Sequence, residues 1–131
     1  MSNIPQNLKY SKQHEWILVD GQYALLGITD FAQKSLGDIV FLELLNVGDK
    51  VQAGESCGTI ESVKAAEELY SPVSGTIAER NEEVLKSPEK INQDPYKNWI
   101  LKIKDFDPNE VEGLLSASEY QKYLESLEQE G

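Results

Sequence analysis

The stretch from Gly58 to Gly75 constrains the fold of this chain more than any other. It reads Gly-Thr-Ile-Glu-Ser-Val-Lys-Ala-Ala-Glu-Glu-Leu-Tyr-Ser-Pro-Val-Ser-Gly. A β-favouring apolar segment runs into Ser62-Val63, meets Lys64, passes two alanines and continues to a second segment that ends at Ser71-Pro72. This pattern predicts two strands folded back on each other, with Lys64 at the tip. A lysine at such a tip is in general a solvated charge. Here Glu61, Glu67 and Glu68 stand near it, and Ala65 and Ala66 follow it directly. Nothing bulky bars the active site of another protein from closing over the amine, so Lys64 suits enzymatic modification.

The rest of the chain repeats the same kind of unit. Trp16–Val19 and Tyr23–Gly27 flank Asp20-Gly21, a tight-turn signal between apolar runs. Ile39–Leu45 is an apolar run interrupted by Glu43. Glycine turns then separate short segments through Val51, Cys57–Val63 and Val73–Ala78. Trp99, Leu101 and Ile103 alternate with Lys102 and Lys104, as in a half-buried strand. Short strands with turn signals every few residues predict a mainly β fold, a flattened antiparallel sandwich. The two halves share a rhythm of glycine turn, strand, charged turn, strand, which a two-fold arrangement around one core would produce.

Helices are expected at two places. Near 29–36, Thr29 can cap, Asp30 suits the positive first turn and Gly37 suits the exit, turning Phe31, Ala32 and Leu36 to the core. Near 107–128, Asp107-Pro108 can start a short helix. Ser116-Ala-Ser-Glu119 is a capping box that opens a final helix with Tyr120, Leu124 and Leu127 on one stripe. Residues 1–8 read as a loose lead-in. Residues 85–98, with Pro88 and Pro95, read as a loop.

A chain of 131 residues suits one domain, spanning 1–131, and can bury about two-thirds of its unfolded surface. Hydrophobic residues make up 40%, and no run of about 18 apolar residues exists for a membrane span. The first residues lack a signal core and an Arg-rich transit pattern, so a cytoplasmic location is expected by default. The net charge of −11 disfavours nucleic acid and anionic membranes as partners, since both are bound through basic patches. It leaves open a small acidic protein steered to basic rims on larger enzymes. The single cysteine, Cys57, reads as a buried strand thiol. One histidine and one cysteine, far apart, give no metal-ligand spacing, and no nucleophile–base pair stands out.

Glu61-Ser-Val-Lys-Ala65 followed by Ser71-Pro-Val-Ser-Gly75 resembles the lipoylation hairpin of the glycine cleavage H proteins. His14-Glu15-Trp16, Gly27-Ile-Thr-Asp30, Leu36-Gly-Asp-Ile-Val40, Asn92 and Asp94-Pro-Tyr96 match in the same order, over nearly the whole chain. The resemblance implies a barrel-sandwich hybrid carrying lipoate on Lys64, in a hairpin at about 57–71, and no catalysis of its own. It implies that Glu61, Ser62, Val63 and Ala65 are read at the tip by a lipoate ligase or a lipoyl/octanoyl transferase. The arm would take an aminomethyl group from the glycine decarboxylase (P protein), give the carbon to tetrahydrofolate on the aminomethyltransferase (T protein), and be reoxidised by lipoamide dehydrogenase (L protein). The protein would be a monomer in the cytoplasm, or in the mitochondrial matrix if the chain is a trimmed eukaryotic form.

The cargo carries a protonated amine and decays if water and acid–base groups reach it; a carboxylate near a dry cleft could bind the ammonium and hold the arm against the body. Glu15 and Glu68 are the candidates for docking the arm. Ser35 stands where some members have histidine, and Gln13 where a small hydroxyl residue occurs. Leu45 stands where proline is more frequent, and the segment before Trp99 is one residue shorter and lacks a glycine. Two alternatives stay open, an H-like protein that relays lipoyl groups to other lipoyl domains and an unmodified scaffold, while the helices expected near 29–36 and 107–128 argue against a lipoyl or biotinyl domain of another system. Biotinyl domains have methionines beside the lysine, where this chain has Val63 and Ala65, and lipoyl domains of 2-oxoacid dehydrogenases have Asp-Lys-Ala.

Overall fold

The computed structural model describes residues 3–130. Among them are nine strands and five helices. One sheet has six antiparallel strands in the order β1-β2-β3-β9-β8-β5: Lys9–Tyr10, Glu15–Asp20, Tyr23–Ile28, Leu101–Lys104, Gly75–Arg80 and Lys50–Val51. A second sheet has three, in the order β4-β6-β7: Ile39–Leu44, Ser56–Ser62 and Ala66–Tyr70. The mainly β sandwich expected from the turn spacing is therefore what forms. Gly21 sits at φ 62° in the turn joining β2 to β3, a backbone conformation that glycine adopts without penalty.

Two apolar clusters hold these layers. The larger lies between the sheets and contains Ile17, Leu26, Leu42, Ile60, Leu69, Ile77 and Ile103. The smaller lies on the other face of the large sheet, where Tyr10, Trp16, Tyr120 and Leu124 pack under the last helix. The first half of β2 is thus covered on both sides, and Glu15, Trp16 and Ile17 are all buried, without the alternation of a half-solvated strand.

The helices follow their caps. In α1 (Asp30–Leu36) the Thr29 hydroxyl accepts from the Ala32 N–H, and Gly37 ends the helix at φ 78°. In α4 (Pro108–Glu112) Asp107 caps and proline takes the first turn. In α5 (Ala117–Glu130) the Ser116 and Glu119 side chains exchange bonds with each other's backbone N–H, at 2.8 and 3.2 Å. No helix among the described residues is long and apolar enough to cross a membrane.

Three local expectations are corrected. The segment 85–98 is not a loop throughout: α2 (Glu82–Lys86) enters it and α3 (Glu89–Gln93) lies within it. Proline at the start of α3 needs no N–H partner there. Each of these helices buries one apolar residue, Val84 or Ile91, too few to write a period into the sequence. The lead-in is not loose over residues 3–8, where Leu8 is buried and the Tyr10 hydroxyl donates to the Pro5 carbonyl. Residues 1–2 lie outside the described chain. β9 begins at Leu101, and Ile100 before it is fully buried, with its N–H donating to the Leu26 carbonyl at 2.8 Å.

Candidate functional site: a lysine tip above an acid-lined cavity

β6 and β7 form the expected hairpin, paired through Glu61↔Ala66, Ile60↔Glu67 and Thr59↔Glu68. Ser62 closes its turn. Its N–H donates to the Ala65 carbonyl at 2.8 Å, and its hydroxyl oxygen accepts from the Lys64 and Ala65 N–H groups at 3.2 and 3.1 Å. Val63, Lys64 and Ala65 are left exposed at the tip. Glu61 is exposed too, opposite Phe41 of β4.

The tip is tied to the body at one point. Val63 N–H donates to the Asp38 carbonyl at 3.0 Å. Next to Asp38, Gly37 lies under the Lys64 side chain, and a Cβ built on Gly37 would sit 3.0 Å from Lys64 Cε. This turn is clamped from α3. Asn92 Oδ1 accepts from Ile39 N–H at 2.9 Å, while Nδ2 donates to the Gly37 carbonyl at 2.8 Å and to Gln33 Oε1 at 3.0 Å. Asn92→Ala strips three partly buried groups of partners and is expected to cost about 2–3 kcal/mol. Amide exchange at Val63 should quicken with it, while Ala24 and Ile103 in the large sheet stay protected; equal protection at Val63 would contradict the clamp.

Beneath the hairpin is a cavity of about 340 Å³. Ile28, Phe31, Leu36, Ile60 and Leu69 give it an apolar lining, and His14, Glu15, Glu67 and Glu68 give it polarity. No lysine or arginine lines it. Ala65 is at its rim, and Ser35 and Leu36, just before the glycine under Lys64, form part of its wall. The mouth of the cavity is therefore next to the tip lysine.

Glu15 is only 2% exposed. Its carboxylate accepts from the Ser11 hydroxyl at 2.7 Å and from the Tyr70 N–H at 2.9 Å. The second bond is available because β7 is an edge strand and its neighbour Ser71 takes the bonds toward the preceding segment, leaving the Tyr70 N–H directed outward. Burial pushes the Glu15 pKa up to about 7, against the pull of these two donors. The same burial, with the Glu15 charge added, pushes the Cys57 thiol up to about 12, and Cys57 Sγ donates to the Leu69 carbonyl at 3.3 Å. Cys57 is thus an inert strand thiol. Glu68 is exposed at the cavity edge and accepts from the Ser56 hydroxyl.

Of the residues singled out from sequence, Ala65, Glu15 and Glu68 line one cavity, Lys64 stands beside Ala65 at the tip without lining it, and Glu61 and Val63 face solvent. Sequence reasoning set Glu67 beside Lys64 but did not count it among the arm-docking residues, although it lines the cavity opposite Ile60 in the ladder, and it gave no role to Ser11, whose hydroxyl holds Glu15. Strand register, which pairs Glu67 with a core residue, was the signal for the first. No group of three or more metal-ligating side chains is found among the described residues.

The site thus consists of an exposed lysine on a closed turn beside a cavity lined with carboxylates and apolar side chains. The family model for the glycine cleavage H-protein matches residues 8–127. The chain is 57% identical over 126 residues to the glycine cleavage system H protein of Carboxydothermus hydrogenoformans, covering 95% of this chain and 97% of that one. It is 53% identical to the protein of the same name from Halothermothrix orenii, over 96% and 99%. A crystal structure of the glycine cleavage system H protein from Mycobacterium marinum superposes with a TM-score of 0.81 at 40% identity, over 89% of this chain and 95% of that one. The chain belongs to the glycine cleavage H-protein family. It is accordingly a carrier component of the glycine cleavage system and not a catalyst, and membership implies attached lipoate and work with the other proteins of that system.

Proposed function

We propose that Lys64 is the residue that carries lipoate, through an amide on Nζ, in a single carrier domain spanning 1–131. A lipoate ligase or lipoyl/octanoyl transferase attaches the group by reading the tip at Glu61, Ser62, Val63 and Ala65. The loaded protein then moves an aminomethyl group from the glycine decarboxylase to the aminomethyltransferase and meets lipoamide dehydrogenase, as a monomer in the cytoplasm. The observation that carries this reading is the placement of Lys64: exposed, on a turn closed by Ser62, beside the cavity-lining Ala65, with its stem lying over the glycine that follows the cavity-lining Leu36.

The residues present fit such an arm. Amide formation removes the lysine charge, and among the described residues no salt bridge of Lys64 is lost by it. The apolar lining suits a hydrocarbon chain, and the carboxylates suit a cationic end. When attached, the lipoyl group supplies the sulfur pair that holds the one-carbon amine and the two electrons. The chain supplies the rest. Glu15 and Glu68 accept hydrogen bonds from the ammonium, and Ile28, Phe31 and Leu69 keep water from it. Freezing a long arm costs on the order of 2 kcal/mol, so the docked state is shallow and the arm leaves readily for the next enzyme.

Intact mass and peptide mapping test the assignment. Protein made in cells supplied with lipoate should gain one lipoyl group on the peptide that contains Lys64, and Lys64→Ala should gain none. A group mapped to another lysine, or retained in Lys64→Ala, would overturn it.

A further inference from the structure

The single histidine of the chain, His14, lines the cavity next to Glu15 and is engaged by a residue more than 100 positions away. His14 Nδ1 lies 2.8 Å from the Tyr120 hydroxyl, on α5. The same hydroxyl lies 2.8 Å from Thr29 Oγ1, and Thr29 Oγ1 accepts from the Ala32 N–H at 3.2 Å. Thr29 is fully buried. Its hydroxyl proton must go to an acceptor, and the Tyr120 oxygen is the acceptor within reach, because the other contact, Ala32 N–H, is itself a donor. The direction of the chain follows. Thr29 O–H donates to the Tyr120 oxygen, Tyr120 O–H donates to His14 Nδ1, and the imidazole carries its own hydrogen on Nε2. A second proton on Nδ1 would turn the His14 bond around and leave one of the two hydroxyl protons, that of Tyr120 or that of Thr29, without an acceptor in the interior.

We propose that Tyr120 is a positioning residue that holds His14 as the neutral imidazole with its hydrogen on Nε2, so that the cavity stays selective for an arm ending in a cation. The cavity lining has three carboxylates and no lysine or arginine. An imidazolium at His14 would sit beside Glu15, repel an ammonium and compete for the carboxylate. Four groups of other elements bear on the ring. Phe31 of α1 lies 4.5 Å away by ring centroids, Tyr123 of α5 lies 6.1 Å away, and Glu67 and Glu68 of β7 share the cavity with it. Lys12 lies beyond Tyr123, with Nζ 5.5 Å from that ring. Burial also lowers the His14 pKa. The ring does not depend on Tyr120 for its place. His14 has φ 70°, and its backbone is held by bonds to Ser11 and Thr29 at 3.1 and 3.0 Å.

The functional half of this inference rests on arm docking as proposed above, so the test has two readouts. With imidazole ¹⁵N labelling, the one histidine gives an unambiguous spectrum. The wild-type protein should show the Nε2–H tautomer alone, from pH 8 down to well below the ordinary histidine midpoint of about 6.5. Tyr120→Phe keeps the ring stack on Tyr10 (centroids 4.7 Å apart) and removes only the hydroxyl. It should give a tautomer mixture and a midpoint raised toward that ordinary value, whereas Tyr123→Phe should leave the spectrum as it is. In the amine-loaded lipoyl protein, Tyr120→Phe should shorten the lifetime of the cargo about threefold or more at pH 6 and under about twofold at pH 8, following the protonated fraction of the imidazole. An Nδ1–H tautomer in the wild-type protein, or a spectrum that Tyr120→Phe does not change, would overturn the proposal. If the spectra behave as stated but neither Tyr120→Phe nor Glu15→Gln alters the cargo lifetime, arm docking fails. Tyr120 then loses its functional role and keeps only its grip on the tautomer.

Discussion

Glu15→Gln should make the protein more stable at pH 8 and a poorer shelter for its cargo. The stability half follows from burial. The Glu15 pKa is raised from 4.5 to about 7 in the folded state, with desolvation as the largest cause. A raised carboxyl contributes stability that is fully present below the unfolded value, near pH 4.5, and lost as pH climbs through 7. At pH 8 the folded chain holds a charge whose burial is unfavourable, and a carboxyl held at about 7 in place of 4.5 corresponds to about 3 kcal/mol. Glutamine has the same shape, retains a carbonyl oxygen for the Tyr70 N–H, and has no charge to bury. Urea unfolding of both proteins at pH 5 and pH 8 should show the variant gaining on the wild type by about 2–3 kcal/mol across that interval. Because the net charge of −11 also makes the whole molecule sensitive to pH, the difference between the two proteins is the quantity to follow.

The functional half has the opposite sign. An ammonium paired with a carboxylate is held more strongly than one facing a neutral amide, by about 1.5–3 kcal/mol for a charge-assisted bond. At pH 8, where Glu15 is ionised, the lifetime of the loaded arm should fall about tenfold or more in Glu15→Gln, with lipoylation of Lys64 unchanged. Two proteins with parallel pH profiles would show that Glu15 is not held near pH 7. A cargo lifetime unchanged by the substitution would remove Glu15 as the anchor and favour the reading of a protein that only relays lipoyl groups.

The hairpin and its lysine were legible because they are local. Ser62, Lys64 and Ala65 contact one another within four residues, and the capping residues Thr29, Asp107 and Ser116 act within three. The burial of Glu15 was not legible, because it depends on Tyr70, 55 residues away, and on a strand covered on both faces. Asn92 could be matched to the family as a letter, but its grip on Gly37 and Ile39 spans more than 50 residues. The positions that depart from the family pattern gain meaning only in three dimensions. Gln13 and Ser35, far apart in sequence, both fall on the cavity wall. Leu45 donates its N–H to the Cys57 carbonyl at 3.0 Å, a bond that proline at that place could not make. The short segment before Trp99 closes on Asp94, whose carboxylate accepts from the Tyr96 and Lys97 N–H groups, both at 3.1 Å.

A large loss of stability from one small change is expected at Gly27. This residue pairs with Trp16 across β2 and β3, and a Cβ there would overlap the Trp16 ring at Cε2 and Cζ2 and come within 2.6 Å of Nε1. The ring has nowhere to go. Trp16 is 1% exposed, packs in the cluster with Tyr10 and Tyr120, and donates from Nε1 to the Pro95 carbonyl at 3.1 Å. Overpacking a full core costs about 1–3 kcal/mol, and stranding the indole N–H adds about 1 more, so Gly27→Ala should lose about 3–4 kcal/mol. Gly21→Ala is the reference. It has φ 62° and nothing within 4 Å, and should lose only the conformational cost of about 1 kcal/mol. Denaturant midpoints read both, and tryptophan fluorescence reports whether the Trp16 surroundings change in the first alone. Trp16 adjoins Glu15, so the strain reaches the cavity. At a temperature where Gly27→Ala is fully folded, its cargo should still decay faster than in the wild type. Lys64, on the other sheet, should still accept its lipoyl group. If Gly27→Ala proved as mild as Gly21→Ala, the rigid coupling between the indole and the cavity wall would have to be given up.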